Sequence, residues 1–549
     1  MNIPSFFGPF VFAILTIIFA VSIFTNIAYP LLWQDEAETV IAGERILTYG
    51  YPKSHDGKNM LYLIELADKS LGIKEPFDAY IGPGWTQFYV AAIGVKIAEH
   101  VTDIYQKTAL LRIPFGIIGL LGILICAQVA NGIFHAKTKW LFLCSYLLLC
   151  MLSISLTLHI REVRYYALII FLSGVTLWLY TTCRKNLTTF SRQKYALYTF
   201  TLVILLNLTL LTFPPLFFIL VTTLGISILR NSSIRLHIIP LVIAVIFSIP
   251  LFILLEIIPF VSAMNAYFNF GTVAYVNNLV RTFHFLFVYE FFALVLLFKV
   301  AQLILKRVTS KRDQSPQLIE ISKLSNFLCV YFVIYVLFIA RTPYLFERYL
   351  MALIPFINLM LLLDLFYSAI VIQKIASKKL RSDVLFVTMP TFLAVVAISL
   401  IPKLPHISGH LYELTHQYKG PVDYAVEYIN DTFPDPSQLV IATNYEELSY
   451  AYYLGSKVTI GYVGNNLLED STVQPDIIIM RKNRDNFLET FQMLLLKDSY
   501  TAVHFDIDDY DFNNIPELYL AKPHRFKTVL TSDPHNQLTL YVRDSIMGN

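Results

Sequence analysis

Trp33-Gln34-Asp35-Glu36-Ala37-Glu38 places three carboxylates within four residues, directly after an apolar run from Phe6 to Leu32. A carboxylate near membrane depth is costly to dehydrate and needs a partner, water or a task. One task is to take the proton from an acceptor hydroxyl as that hydroxyl attacks. Neighbouring side chains on a helix diverge by about 100°, so one acid can act as base while the other orients acceptor or protein groups. The plainer alternative is that Asp35 and Glu36 cap free N–H groups and complement the helix dipole. The reading adopted is catalytic, with Asp35 as base and Glu36 beside it.

Arginines of unusual placement come next. Arg161 and Arg164 share a helix face in His159-Ile160-Arg161-Glu162-Val163-Arg164-Tyr165-Tyr166, Arg112 opens the second apolar span, and Arg341 and Arg348 bracket Pro343. Guanidinium forks match phosphate oxygens and stay charged where water is scarce. Snorkelling to head groups, or pairing with Glu162 and Glu347, is the bland use of the same residues. Arg112, Arg161, Arg164, Arg348 and Lys53 are the candidates for binding a donor phosphate. His55, Glu162, Tyr165 and Tyr349 are the candidates for substrate contact, although Tyr165, Tyr166, Tyr344 and Tyr349 also suit an interfacial aromatic belt. No cofactor is assigned. A divalent metal stays open, because Asp35, Glu36, His159 and Glu162 have the ligand types of an Mg²⁺ or Mn²⁺ site, though no spacing demands one. Asp506-Ile507-Asp508-Asp509 starts like a calcium loop but lacks its Gly and terminal Glu, and reads as a solvated turn.

The elements that must position these residues are membrane helices. The chain has 549 residues, 56% hydrophobic and 15% charged, with a mean hydropathy of +0.58; soluble domains carry roughly 25% charged residues. The net charge of +3 says little about partners. The five cysteines lie in or beside apolar runs, which argues against a disulfide framework or a zinc site. The first apolar run has no basic leader and is too long for a signal peptide, so it is expected to be retained. Eleven spans are expected, near 6–32, 108–130, 139–158, 163–182, 196–212, 215–230, 237–258, 284–305, 324–340, 348–372 and 384–402. Basic residues cluster in alternate loops, at Lys137/Lys139, Arg184/Lys185/Arg192/Lys194, Arg230/Arg235, Lys306/Arg307/Lys311/Arg312 and Lys374/Lys378/Lys379/Arg381. By the positive-inside rule this puts the N-terminus in the cytoplasm of a cell (inner) membrane protein and the C-terminal segment outside.

The 34–107 loop is too long to be a plain connection. Asp35 to Leu47 and Thr86 to His100 read as helices lying along the membrane, with Gly82-Pro83-Gly84-Trp85 as a turn between them. Residues 403–549 change character. Short β-rich runs at Gln438–Ala442, Lys457–Gly461, Asp476–Met480, Thr501–Phe505, Phe526–Leu530 and Leu538–Val542 alternate with helical patterns such as Val422–Asn430 and Glu446–Leu454. That predicts a membrane domain over 1–402 and a C-terminal extracytoplasmic α/β domain over 403–549.

Taken in order, these features resemble the GT-C class of integral-membrane glycosyltransferases, and within it the protein O-mannosyltransferases and lipid A aminoarabinose transferases. The resemblance rests on Asp35-Glu36 at the end of the first membrane helix, Gly82-Pro83, Arg112-Ile113-Pro114, the Arg161–Tyr166 stretch, and Arg348-Tyr349 with Pro355 downstream. Each motif is short, and their order across nearly the whole chain carries the likeness. Glu38 departs from the pattern, standing where aminoarabinose transferases have an Arg, and Gly-Pro replaces a more usual Pro-Pro. The resemblance implies a polytopic GT-C-like fold and an inverting transfer from a polyprenyl-phosphate sugar to a lipid, glycan or protein acceptor. It also implies Asp35 as general base and Arg or Lys side chains on the phosphate. Membrane lipids are expected partners and nucleic acid is not. A transporter or flippase of lipid-linked sugars is the alternative. It would share the apolar groove and arginines, but it does not require the acid pair or the large outer loop, and no inverted repeat is visible.

Overall fold

The computed structural model describes residues 7–547 except 62–63, 67–68, 72, 75–76, 82–83, 135, 185–189, 231–235, 268–270, 309–314, 343–344, 377–383, 461–472, 483–487 and 510–526. Gly82, Pro83, Pro343, Tyr344 and the start of the Phe526–Leu530 run therefore lie outside the described residues. The helices are α1 (Phe7–Phe24), α2 (Gln34–Tyr49), α3 (Thr86–Ala98), α4 (Ile104–Gln128), α5 (Ala136–Leu152), α6 (Ile154–His159) and α7 (Tyr166–Cys183). They continue as α8 (Arg192–Thr212), α9 (Pro214–Leu229), α10 (Ile238–Leu254), α11 (Ile257–Tyr267), α12 (Thr272–Val288), α13 (Phe292–Val308), α14 (Pro316–Ile339), α15 (Ile354–Ala376), α16 (Val384–Leu400) and α17 (Leu404–Thr415). The C-terminal part adds α18 (Pro421–Thr432), α19 (Glu447–Leu454), α20 (Leu488–Lys497) and α21 (Asp544–Met547).

Among the described residues, six helices are long and apolar enough to cross a membrane: α1, α4, α7, α8, α14 and α15. Counting each of two bent pairs as one span raises this to eight. The eleven spans expected from hydropathy are thus not all full-length helices. Helices α5, α9 and α10 are apolar but only 17, 16 and 17 residues long, short of the ~20 that cover the hydrocarbon. The span expected at 284–305 is broken after Val288, where α12 and α13 meet at 90°. At the centre, 94% of an 18-residue window of α15 is buried, so its hydrophobicity serves helix packing as well as lipid.

The expected first span, 6–32, is helical only to Phe24. Asn26 takes a left-handed conformation, φ 52°, and donates its amide to the Leu414 carbonyl at 3.0 Å. The segment to Trp33 then runs out of helix and delivers the chain to α2. Carbonyls released there cannot stay unpaired at this depth. Arg161 donates to Thr25 O at 2.8 Å, and Arg112 donates to Ile27 O at 2.9 Å and Pro30 O at 2.8 Å.

Helix α2 lies against α3, and Gly43 makes the approach possible. A Cβ there would sit 2.8 Å from the Ala92 nitrogen, closer than backbone atoms tolerate. Gly43→Val is therefore expected to destabilise the protein by about 1–3 kcal/mol or more through overpacking, read as a lower detergent melting temperature. Gly50 ends α2 with φ 84°, the left-handed cap that glycine adopts without steric cost. The loop beyond carries two small hairpins, β1 (Ile64–Leu66) with β2 (Lys69–Leu71), and β3 (Ile73–Lys74) with β4 (Ala79–Tyr80).

The C-terminal unit is a five-stranded sheet in the order β6-β5-β7-β9-β8, from β5 (Val440–Thr443), β6 (Lys457–Ile460), β7 (Ile477–Ile479), β8 (Tyr500–Asp508) and β9 (Gln537–Arg543). Strand β5 is parallel to both β6 and β7, and β9 runs antiparallel to β7 and β8. The Ile477–Ile479 run of β7 is fully buried, as expected for a strand covered on both faces. Because β5 leads to β6 on one side while β7 lies on the other, the strand order reverses at β5. Crevices at such reversals open at the carboxyl ends of the strands. Here that end carries the turn into α19, which packs onto α2.

Asp423, on the first turn of α18, joins this unit to the membrane part. It accepts from the Leu31 N–H and the Tyr105 hydroxyl, each at 3.1 Å, and from Gly420 N–H at 3.0 Å. Burial pushes its carboxyl up to about 7, against those donors. A folded value above the unfolded one contributes stability that is fully present below the unfolded value near 4 and is lost as pH rises through about 7. The melting temperature is expected to fall between pH 5 and pH 8. Asp423→Asn should flatten this component while lowering the melting temperature overall, and thermal unfolding across that pH range measures both.

Candidate active site

Asp35 stands alone in its exposure. Every residue from Leu31 to Gly43 is buried except Asp35, whose side chain is 25% exposed. Its Oδ2 is approached by two guanidiniums, Nη2 of Arg348 at 3.3 Å and Nη2 of Arg164 at 3.4 Å. Arg164 comes from the turn before α7, and Arg348 from the 3-10 turn Glu347–Leu350 before α15. Three segments remote in sequence thus meet at one carboxylate.

Arg164 is held in place from α2. Its Nη1 donates to Asp35 O at 3.0 Å, Thr39 Oγ1 at 2.9 Å and Glu38 Oε2 at 3.1 Å. Glu38 Oε1 in turn accepts from the Tyr80 hydroxyl of β4. Burial pushes the Glu38 carboxyl up, the Arg164 charge opposes this, and Asp35 adds to it. Arg348 is held by aromatic faces, lying 4.0 Å from the Phe346 ring centroid and 4.8 Å from that of Trp33; a cation near a ring face is attracted by the ring quadrupole. Tyr165 stacks on Phe213 at 4.9 Å, and Phe213 lies 5.9 Å from Tyr349. These rings form an apolar wall beside the charged cluster.

Glu36, the neighbour of Asp35, points elsewhere. It takes a bidentate pair from Arg112, Nε to Oε1 at 2.9 Å and Nη2 to Oε2 at 2.6 Å. Its Oε1 also accepts from Val163 N–H at 2.9 Å. Glu36 is fully buried, and Arg112 also carries the Ile27 and Pro30 carbonyls. The structure therefore sets Glu36 and Arg112 apart from the open face of Asp35. The N-cap residue of α2, Trp33, makes no side-chain cap bond, and both acids lie in the first turn.

Arg161 pairs with Glu413 of α17 at 3.3 Å in addition to Thr25 O, so it ties α17 to the end of α1. Glu162 Oε1 and His159 Nδ1 share a hydrogen bond of 2.7 Å in the buried interior. Lys53 and His55 lie in the loop after α2, where Arg45 holds the Lys53 and Ser54 carbonyls. The Lys53 ammonium sits over the Tyr49 ring, and His55 Nδ1 accepts from Gly57 N–H. Among the described residues neither makes a contact with Asp35, Arg164 or Arg348. Of the four residues considered for a metal, Asp35 and Glu36 meet different arginines, while His159 and Glu162 pair with each other. No group of three or more His, Cys, Asp or Glu among the described residues is arranged to hold an ion.

Trp33, Gln34, Tyr80, Phe346 and Glu413 carry no role legible in the sequence. Glu38 is one of the three clustered carboxylates and a departure from the family pattern; its i,i+3 spacing from Asp35, which puts both on one helix face, is the signal for its place here. Nothing local in the sequence marks the others.

No protein-family model matches the chain, and no curated protein matches it in sequence. Among solved structures, it is similar to the crystal structure of ArnT from Cupriavidus metallidurans bound to undecaprenyl phosphate, with 12% identity and a TM-score of 0.51, covering 98% of this chain and 99% of that one. At that identity the likeness speaks for fold: the chain is a polytopic integral membrane protein with the GT-C fold and a small C-terminal sheet domain.

Proposed function

We propose that this protein is an inverting glycosyltransferase. It moves a sugar from a polyprenyl-phosphate donor to a lipid, glycan or protein acceptor on the non-cytoplasmic face of the membrane, with the N-terminus cytoplasmic. The observation that carries the reading is Asp35, the one exposed residue in a buried run, set against two guanidiniums from distant segments. The fold it shares with a protein crystallised with undecaprenyl phosphate agrees with such a donor.

Asp35 removes the acceptor hydroxyl proton while the acceptor oxygen attacks the anomeric carbon. The bond from that carbon to the phosphate oxygen breaks on the opposite side, and the polyprenyl phosphate leaves with the electron pair. Arg164 and Arg348 stabilise the charge developing on the leaving phosphate, which is commonly the larger electrostatic contribution. In this reading Glu36 and Arg112 frame the site, Arg161 braces α17, and Tyr165 and Tyr349 wall the sugar. Lys53, His55 and Glu162 support the surrounding structure.

The test is transfer from radiolabelled polyprenyl-phosphate sugars by purified protein in liposomes, across several acceptor classes. A labelled glycosidic product supports the reading. Movement of labelled lipid across the bilayer without product would replace it with a transporter.

A further inference from the structure

The segment that carries Asp35 is stitched to the C-terminal sheet domain at nearly every residue before it. Leu31 N–H donates to Asp423 at 3.1 Å. Leu32 N–H donates to the Tyr453 hydroxyl at 3.0 Å, and Leu32 O accepts from Ser449 Oγ at 2.8 Å. Gln34, the first residue of α2, makes two bonds to α19. Its Nε2 donates to Glu447 Oε1 at 2.7 Å, and its Oε1 accepts from Leu448 N–H at 3.1 Å. Gln34 is 7% exposed, as is Glu447, so water competes poorly for either bond.

The location adds meaning. Helix α19 follows β5 at the strand-order reversal, where the helix N-terminus of an α/β sheet offers free N–H groups. In this protein the Gln34 side-chain oxygen fills one of those N–H positions. The sheet domain therefore uses its ligand-facing edge to grip the residue next to Asp35.

We infer that Gln34 is a positioning residue: its clasp with Glu447 and Leu448 lets the C-terminal domain set the place of Asp35. This rests on Asp35 being the base. Gln34 touches no substrate in this role. It holds the first turn of α2 so that the Asp35 carboxylate faces the open side, and Trp33 on its other flank stays under Arg348. Small displacements of a reacting group are costly, about 10²-fold for 1 Å.

The experiment exchanges the two partners. Gln34→Glu alone sets two carboxylates against each other. Adding Glu447→Gln restores one amide-to-carboxylate bond and leaves the Leu448 N–H its acceptor. Gln34→Glu is expected to lower kcat about tenfold or more with donor KM within about twofold, and the double variant to recover most of it. Hydrogen exchange of the peptide spanning 31–40 should rise in the single variant and fall back in the double. Failure of the double variant to recover kcat would overturn the inference. So would a changed KM at constant kcat, or exchange that the single variant leaves unaltered. If the wild-type protein transfers no sugar, the transferase reading falls and the positioning role falls with it, while the exchange data still decide whether the clasp orders α2.

Discussion

Asp35→Asn is expected to lower kcat by about 10²–10⁴, the usual worth of a general base, with the protein still accumulating in folded form. The amide keeps the shape and one oxygen for Arg164 or Arg348, but it cannot take a proton at neutral pH. Asp35 itself is a quarter exposed, but the Arg164 and Arg348 side chains beside it are only 9% and 6% exposed. Arg164 keeps its pair with Glu38, so removing the Asp35 charge is expected to lower the melting temperature somewhat without unfolding the protein. Because the proton is removed only as the acceptor attacks, the loss should fall on kcat while donor KM changes little. Single-turnover transfer in liposomes measures it. A variant that folds and retains transfer near the wild-type rate would show that Asp35 is not the base.

Glu36→Gln, one residue further, is expected to do the opposite: to cost the protein its stability. Glu36 and Arg112 form a bidentate pair that is 0% and 4% exposed at the side chains. Removing one partner of such a pair leaves an uncompensated buried charge and costs about 3–5 kcal/mol. Arg112→Met should be at least as damaging, because it also orphans the Ile27 and Pro30 carbonyls where α1 has ended. Yield of folded protein from detergent extracts and the melting temperature are the readouts. If Glu36→Gln folds normally and loses transfer, Glu36 belongs to the chemistry and the division between the adjacent acids is wrong. The contrast follows from the roughly 100° between neighbouring helix positions: Asp35 is turned to the open cluster, Glu36 to the packed side of α4.

The acid pair was legible because three carboxylates beside a long apolar run are expensive unless used. The sheet was legible too: short β-branched runs separated by helical patterns matched β5, β6, β7 and β9 within a few residues. Hydropathy was less exact about spans, since it cannot tell lipid-facing from protein-facing apolar residues. It read through the break after Phe24, where the unwound backbone is paid back by arginine side chains from elsewhere in the chain. It likewise read through the 90° bend between α12 and α13.

The arginines divide along the same line. Their presence against the positive-inside trend marked them as a group, but nothing in the sequence separated Arg164 and Arg348 from Arg112 and Arg161. Only the packing decides, because a guanidinium has five donors and its task depends on which acceptors the fold brings within reach. Arg112 meets Glu36 and two freed carbonyls, Arg161 meets Glu413 and another, and Arg164 and Arg348 meet Asp35. Gln34 is the extreme case. It is an ordinary polar residue in the sequence, and its partners Glu447 and Leu448 lie more than four hundred residues away. By itself the sequence determined that this is a polytopic membrane protein with a carboxylate cluster where its first helix ends, since composition and hydrophobic run length are local properties. Which carboxylate stays open, which arginines face it and which domain holds it were decided by tertiary structure, because those are contacts between segments that no local pattern specifies.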